Sequence, residues 1–187
     1  MSAMAGVSAN EKVSSTAVIA NLVIAANGAT TMAGRSAPLS SASDRQRFHQ
    51  IRSEARSIAI GGNTYRSEPY GKTKLPVLVA TRQVPHEGES EGLVRFLNNS
   101  PAEVIGIALS EYGEPVLVEG GVNFLQPLIE QRLIDTFYLT RSRKSGDGDF
   151  LDPSLLNSNY EIVDSESIEE NEFELWLPRK QQSTQHH

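Results

Sequence analysis

Two glycine pairs are the first candidates for a ligand-binding site, because each pair follows a short apolar run. A strand that ends in Gly-Gly before a helix exposes backbone N–H groups, and a ligand's phosphates can approach them because no side chain intervenes. Tight turns use the same residues, so a turn and a phosphate cradle both stay open for each pair. The two elements comprise Gly61, Gly62, Asn63, Thr64, Glu119, Gly120, Gly121, Val122 and Asn123.

The two glycine elements differ from the common nucleotide motifs, since neither is a G-x-G-x-x-G fingerprint or a Walker P-loop. Open α/β sheets bind ligands in the crevice outside the carboxyl ends of their strands. Two glycine-ended strands in one chain therefore indicate a single ligand crevice that both strands share.

Charged residues beside these elements are the next candidates. Glu119 stands between a buried strand and a Gly-Gly turn, where a carboxylate needs a polar partner. It could accept hydrogen bonds from a ligand or from backbone N–H groups, or it could cap a helix. Arg52 and Arg56 are the cations near the first element, and the planar guanidinium fork suits phosphate. Taken alone, each arginine also fits an ordinary surface position.

Composition excludes several classes of site and partner. The chain has 187 residues, no cysteine and a formal net charge of −6. The absence of cysteine removes disulfides, Cys-ligated metals and thiol nucleophiles. The acidic balance argues against a nucleic-acid protein, which would carry a basic patch. His49, His86, His186 and His187 are the imidazoles, and two of them stand in a polar tail, so we expect no metal site.

The most apolar early stretch is residues 17–26, which Asn21 interrupts. It is shorter than the roughly 20 residues needed to cross a bilayer. A secretory signal is the alternative, but Glu11 and Lys12 cancel where a basic segment should precede it. We therefore expect a buried strand, a protein without membrane contact, and a cytoplasmic location.

Hydrophobic patterning predicts an α/β fold with a mixed, mostly parallel sheet flanked by helices and a C-terminal antiparallel hairpin. The predicted strands cover residues 17–24, 57–60, 76–80, 92–96, 116–118, 134–140, 160–163 and 173–177. The predicted helices begin near residues 43, 100 and 123, and residues 28–42, 63–74 and 141–153 are predicted loops. Residues 1–15 and 179–187 are predicted to be disordered, which leaves one domain over residues 16–178.

Local signals locate the helix ends. Ser100 with Pro101 and Glu103 predicts a capping box with proline in the first turn. Ser41 or Ser43 caps the earlier helix. We expect Pro127 near the first turn of the third helix, because a proline deeper inside would break the hydrogen-bond ladder.

The acidic stretch over residues 164–174 contains several carboxylates. A solvated connection between two strands explains it better than a metal site does.

The order of these motifs resembles a known family. The matching residues are 19–28, 43–45, 48–52, 59–64 and 68–69 in the first half, and 116–121, 128–129, 133–135 and 146–148 in the second. Together they resemble the reductase domain of the bifunctional riboflavin-biosynthesis deaminase/reductase, in the dihydrofolate-reductase-like superfamily. The Val-Glu-Gly-Gly element at residues 118–121 is the most specific part.

The resemblance implies a dihydrofolate-reductase-like sheet and an NADPH-dependent reductase. Family members reduce the ribosyl ring of 5-amino-6-ribosylamino-uracil 5′-phosphate, and they often form homodimers. In that scheme both glycine elements hold the cofactor. The implied substrate-binding residues are Asn27, Ser41, Arg45 and Arg52, with Arg52 on the substrate phosphate, and the implied catalytic residues are Glu119, Asn27 and Glu68.

Some positions depart from the family pattern. Asn27 replaces an aspartate, Ala29 replaces a basic residue, and Glu68 precedes Pro69 where an aspartate is usual. The arginine stretch that normally follows is replaced by residues 70–74, where Lys72 or Lys74 could supply a cation without bidentate geometry.

These departures leave other functions open. One alternative is a non-catalytic or substrate-divergent paralogue that keeps a dinucleotide or small-ligand site. Another is a folate reductase, with Asp44 as its helix carboxylate, although helix capping explains Asp44 as well.

Overall fold

The computed structural model describes residues 16–83 and 92–180. The predicted disorder of residues 1–15 and 181–187 lies outside the described residues. Arg179, which the sequence analysis placed in the tail, donates its backbone N–H to the Asn159 carbonyl at 2.9 Å. Its Nε donates to the Asn157 carbonyl at 2.9 Å.

The described residues form ten strands and five helices. The strands are β1 (Val18–Ile24), β2 (Ala29–Thr31), β3 (Ser57–Gly61), β4 (Val77–Ala80), β5 (Val94–Leu97), β6 (Val116–Glu119), β7 (Thr136–Ser142), β8 (Gly148–Phe150), β9 (Tyr160–Ile168) and β10 (Asn171–Pro178). The helices are α1 (Ala42–Glu54), α2 (Gly62–Ser67), α3 (Pro101–Tyr112), α4 (Val122–Glu130) and α5 (Pro153–Asn159).

Eight strands form one sheet in the order β5-β4-β3-β6-β1-β7-β10-β9. The strands from β5 to β7 pair in parallel, whereas β10 is antiparallel to both of its neighbours, β7 and β9. This arrangement confirms the predicted fold class, including the C-terminal antiparallel hairpin.

The sheet is covered on both faces, which explains the continuous apolar runs of its central strands. Ala20 and Leu22 of β1 point into the main core, with apolar residues of α3, α4 and α5. Ile19 points the opposite way and packs with Ile51 of α1 and Leu117 of β6. The helix α1 therefore lies on the face that carries Ile19, and Tyr65 of α2 packs on the same face against Ile58 of β3.

Four short elements, α2, β2, β8 and α5, fall in segments that the sequence analysis assigned to loops or left unassigned. The helix α2 has no apolar periodicity, because its six residues read GNTYRS. The strands β2 and β8 have three residues each and pair with one another in a second, two-stranded sheet. Such short elements depend on their tertiary partners and leave almost no pattern in the sequence.

The predicted caps are confirmed, with the choice at α1 settled. The Ser41 side chain accepts the Asp44 N–H, so Ser41 is the N-cap of α1. Ser100 and Glu103 form the full capping box at α3.

The prediction for Pro127 is wrong. It is the sixth of the nine residues of α4, beyond the first turn. Because proline has no N–H, it cannot donate to the Asn123 carbonyl one turn earlier. The five buried apolar residues of α4 hold the helix in place despite this gap.

Part of the acidic stretch has a structural partner. Arg47 lies over the rings of Tyr138 and Phe173, with centroid distances of 5.1 and 5.0 Å, and Asp164 and Glu166 attract its guanidinium. Within residues 16–83 and 92–180, no group of three His, Asp or Glu side chains could hold a metal ion. No helix in these ranges is long and apolar enough to cross a membrane.

We expect Pro127→Ala to stabilise the protein. Alanine restores the missing N–H, which stabilises a helix interior by about 3 kcal/mol. It also makes the unfolded chain more flexible, which lowers stability by up to about 1 kcal/mol. The free energy of unfolding measured in urea should therefore rise by about 2 kcal/mol. Gln126→Ala, an exposed change in the same helix, is the control and should shift it by less than about 0.5 kcal/mol. A loss of stability in Pro127→Ala would contradict this account.

Candidate functional site

A cleft of about 1260 Å³ lies at the carboxyl ends of the parallel strands β1, β3, β4 and β6. At one end, here called the β1 end, it is lined by Asn21, Phe48, Arg52 and Tyr70. At the other, here called the β4 end, it is lined by Arg66, Arg82, Asn99 and Ser100. Parallel strands place their carboxyl ends together, so one cleft serves several of them.

Both glycine elements line the middle of the cleft, as their positions after β3 and β6 predict. Gly120 and Gly121 have φ angles of +62° and +78°, which only glycine adopts easily. A Cβ atom on Gly121 would lie 2.5 Å from the Thr64 Oγ1 atom. The second element therefore needs glycine both for its turn and for its close approach to the first.

The first element needs glycine for a different reason. A Cβ atom on Gly62 would lie 2.8 Å from Oγ1 of Thr81, the residue that follows β4. A Cβ atom on Gly61 would lie 3.3 Å from the Phe124 Cβ atom. Packing thus accounts for the glycines of the first element, whereas the turn interpretation is confirmed for the second element, whose two glycines have positive φ angles.

Three helices, α2, α3 and α4, line the cleft with their N-cap residues, and they differ in their caps. At α2 the N-cap is Gly61, and no side chain caps the helix. At α3 the Ser100 side chain and the Glu103 carboxylate occupy the first-turn donors. At α4 the N-cap is Gly121, and no side chain caps the helix. Uncapped first-turn N–H groups are suited to an anion. The second glycine element therefore offers the cleft free backbone donors.

The strongest polar interaction in the cleft joins Arg52 of α1 to Glu119 at the end of β6. The Arg52 Nε donates to Glu119 Oε1 at 2.6 Å, and Nη2 donates to Oε2. The Tyr70 side chain is buried beside the same carboxylate, whose charge raises the pKa of the tyrosine hydroxyl. The Arg52 guanidinium carbon also lies 4.4 Å from the Phe48 ring centroid and 5.6 Å from that of Tyr70. The pair is thus held from several sides.

Burial and charge shift the pKa values of this group. Burial raises the pKa of the Tyr70 hydroxyl well above its usual value, and the Glu119 charge adds to the effect. Burial lowers the pKa of the Arg52 guanidinium, but the hydrogen bonds and charge of Glu119 outweigh it, so that pKa is raised. Tyr70 therefore stays a neutral donor and Arg52 stays charged. Glu119, whose two carboxylate oxygens both accept hydrogen bonds from Arg52, is not an unpaired base.

Three further carboxylates, those of Asp44, Glu68 and Asp149, line the β1 end, and the first two have neutral partners. Glu68 accepts hydrogen bonds from the Ser36 N–H at 2.9 Å and from the Ser36 hydroxyl at 2.8 Å. Asp44, which is only 6% exposed, accepts one from the Ser40 hydroxyl. The Ser36 contact ties the segment after β2 to the segment after α2 across the mouth of the cleft.

The structure brings most of the predicted site residues together. Those lining the cleft are Gly61, Gly62, Asn63, Thr64, Glu68, Glu119, Gly120, Gly121, Val122, Asn123, Arg45 and Arg52. Asn27 and Ser41 do not line it. Asn27 donates to the Gly146 carbonyl at 2.9 Å and accepts the Gly146 N–H at 3.2 Å. Ser41 caps α1.

Residues 70–74 do not supply the cation that the sequence analysis considered for this segment. Lys72 and Lys74 are exposed and do not line the cleft, so neither replaces a lost arginine there. Tyr70 from the same segment is buried against the Arg52–Glu119 pair instead.

The sequence analysis missed Asn21, Arg66 and Arg82 as cleft residues. Asn21 pairs in register with Glu119 on β6 and with Tyr138 on β7. A polar residue in the middle of an apolar strand was the signal for Asn21. Arg82 follows β4 closely, so the strand-end rule used for the glycines would have found it too.

No protein-family model matches the chain, and no curated protein matches it either. Among solved structures it is similar to a diaminohydroxyphosphoribosylaminopyrimidine deaminase/5-amino-6-(5-phosphoribosylamino)uracil reductase from Thermotoga maritima. The TM-score is 0.67 at 14% identity over 88% of this chain. The chain spans 57% of the length of that protein.

Two other solved structures are similar over nearly their whole length. A candidate riboflavin biosynthesis protein from Shewanella sp. PV-4 has a TM-score of 0.68 at 15% identity, over 88% of this chain and 100% of that one. A dihydrofolate reductase from Enterococcus faecalis, complexed with NADP(H) and RAB-propyl, has a TM-score of 0.66 at 18% identity, over 88% of this chain and 97% of that one. These similarities confirm the dihydrofolate-reductase-like fold, and at such identities they show the fold alone.

We expect the Arg52–Glu119 pair to stabilise the fold. Glu119→Ala leaves a largely buried guanidinium without its partner, which should lower the free energy of unfolding by about 2–3 kcal/mol. The double variant Arg52→Met/Glu119→Leu should regain roughly half of that loss, because it leaves no unpaired charge.

The surface pair Arg95–Glu111 provides the matched control, since its side chains are 49% and 40% exposed. Glu111→Ala should cost less than about 1 kcal/mol. Urea unfolding of the four proteins tests the prediction, and equal losses for Glu119→Ala and Glu111→Ala would contradict it.

Proposed function

We propose that residues 16–178 form one reductase domain that uses NADPH to reduce a small heterocyclic substrate. The observation that supports it most is the joining of two glycine elements in one large cleft, at the strand ends of a dihydrofolate-reductase-like sheet. The solved structures of similar fold include a uracil reductase and a dihydrofolate reductase complexed with NADP(H).

The second glycine element fits the pyrophosphate of a dinucleotide. Gly120 and Gly121 leave the backbone bare, and α4 begins there without a side-chain cap. The residues that would hold the cofactor are Gly61, Gly62, Asn63, Thr64, Glu119, Gly120, Gly121, Val122 and Asn123. Glu119 would act there through its backbone, because its carboxylate is bound to Arg52.

The β4 end supports NADPH rather than NADH. Arg66 and Arg82 both line it, and Arg66 is oriented by a hydrogen bond to the Asn63 side chain. Arginine is suited to a phosphate group through its planar donors. An additional phosphate on the adenosine portion would meet these two cations in a protein whose formal net charge is −6.

The β1 end would hold the substrate. Asn21 offers an amide, Phe48 offers a ring face, and Glu68 with Ser36 closes the mouth. When bound, the nicotinamide supplies the hydride. The protein's task is to align the two reactants and to exclude water, so no covalent step on a side chain is needed.

A non-catalytic relative that keeps the ligand site is the second candidate. The ion pair of Glu119 with Arg52 favours it, because that carboxylate is then not available to move a proton. Oxidation of NADPH in the presence of candidate heterocycles separates the two functions, since only a reductase consumes the cofactor.

Titration with NADPH, followed by nicotinamide fluorescence or calorimetry, tests the proposal. We expect saturable binding that is tighter for NADPH than for NADH. An absence of NADPH binding at millimolar concentration would overturn the proposal.

We expect Arg82→Ala to weaken NADPH binding about tenfold, equivalent to about 1.4 kcal/mol, because one phosphate contact is lost. Binding of NADH should change less than about twofold, since that cofactor lacks the phosphate. Arg143→Ala, an exposed change outside the cleft, is the control and should leave both affinities unaltered. Equal weakening of NADPH and NADH in Arg82→Ala would refute this role for Arg82.

A further inference from the structure

We infer that the substrate is an uncharged heterocycle that presents a ring carbonyl and carries no phosphate, recognised by the neutralised Arg52–Glu119 pair. The inference rests on the proposed function. It differs from the substrate that the sequence resemblance implies, in which Arg52 holds a phosphate.

The donors of Arg52 are divided between the fold and the cleft. Nε and Nη2 are taken by the Glu119 carboxylate. Nη1 has no hydrogen-bond partner within residues 16–83 and 92–180, and the side chain is 23% exposed where it lines the cleft. Three N–H donors of Arg52 therefore remain for a ligand, two on Nη1 and the second one on Nη2.

The positive charge of the Arg52 guanidinium is already balanced by the Glu119 carboxylate. The Glu119 side chain is only 4% exposed and lies against the opposite edge of the guanidinium. A ligand on the Nη1 side lies about twice as far from the carboxylate as from the guanidinium, so roughly half of the Coulombic attraction for an anion cancels. A carbonyl oxygen needs only the donors, whereas a doubly charged phosphate needs the net charge.

The other charged residues at the β1 end do not supply the net positive charge that a phosphate needs. Arg45 is exposed, and the carboxylates of Asp44, Glu68 and Asp149 line the same part of the cleft. Asp44 and Glu68 are hydrogen bonded to serines rather than to cations. In the described part of the chain, a phosphate at this end would therefore meet more negative than positive charge.

Neighbouring residues complete a site for a neutral ring. The Asn21 amide has no hydrogen-bond partner within the described ranges and lies beside Glu119 in the sheet register. An amide supplies one donor and one acceptor, which complement the C=O and N–H of a cyclic amide or imide. The half-buried Phe48 ring offers an apolar face next to them. Arg52, Asn21 and Phe48 thus recognise a planar lactam or imide.

Uridine and uridine 5′-monophosphate are matched probes, because they share the imide ring and differ by one phosphate. Each is titrated into the full chain saturated with NADPH, with calorimetric detection. We expect uridine to bind at least about tenfold more tightly than the monophosphate. Equal affinities, a preference for the monophosphate, or no binding of uridine would overturn the inference.

Glu119→Gln supplies the reciprocal test. It keeps the side-chain shape and an acceptor for Arg52 but removes the balancing charge, so affinity for the monophosphate should rise about tenfold while that for uridine does not. Glu111→Gln removes the same charge from the exposed Arg95 pair outside the cleft and should leave the preference for uridine unchanged. An unaltered preference in Glu119→Gln would overturn the role of the pair.

The two proposals fail in different ways. NADPH is titrated first into each protein, and circular dichroism establishes that the variants are folded. A wild-type chain that does not bind NADPH overturns the proposed function. A chain that binds NADPH and prefers the monophosphate overturns this inference alone. The wild-type comparison decides the matter even if Glu119→Gln does not fold.

Discussion

The ion pair between Arg52 and Glu119 is the interaction on which the cleft depends. It joins α1, on the face of the sheet that carries Ile19, to the end of β6. Two hydrogen bonds to one carboxylate fix the guanidinium in direction as well as in position. Phe48 and Tyr70 hold the same guanidinium from the sides. The β1 end of the cleft therefore has rigid walls.

A second constraint acts in the middle of the cleft, where backbone must approach backbone and side chain closely. Thr64 reaches into the space beside Gly121, and Thr81 reaches into the space beside Gly62. These contacts tie the two glycine elements to each other and to β4. The same absence of side chains that allows this packing leaves bare N–H groups toward the cleft. Structural need and ligand access thus arise from one feature.

The local signals in the sequence were sufficient for most of the fold. Apolar runs located the sheet strands, and the Ser100–Glu103 capping box located α3, because each depends on residues close in sequence. Pro127 was misplaced because burial of the apolar face of α4 outweighs one lost hydrogen bond. The strands β2 and β8 were missed because three residues carry no period and pair only across the fold.

The sequence by itself determined the α/β class, the antiparallel ending and the meeting of two glycine elements, because periodicity and turn residues act over a few residues. Only the tertiary structure decided what the charged groups do. Arg52 and Glu119 are far apart in the chain and were both assigned to ligands, yet they bind each other. Asn27 was assigned to the site and instead holds the turn against Gly146. A side chain's role follows from the partner that folding brings within hydrogen-bond distance. The residues next to it in the sequence do not indicate which partner that is.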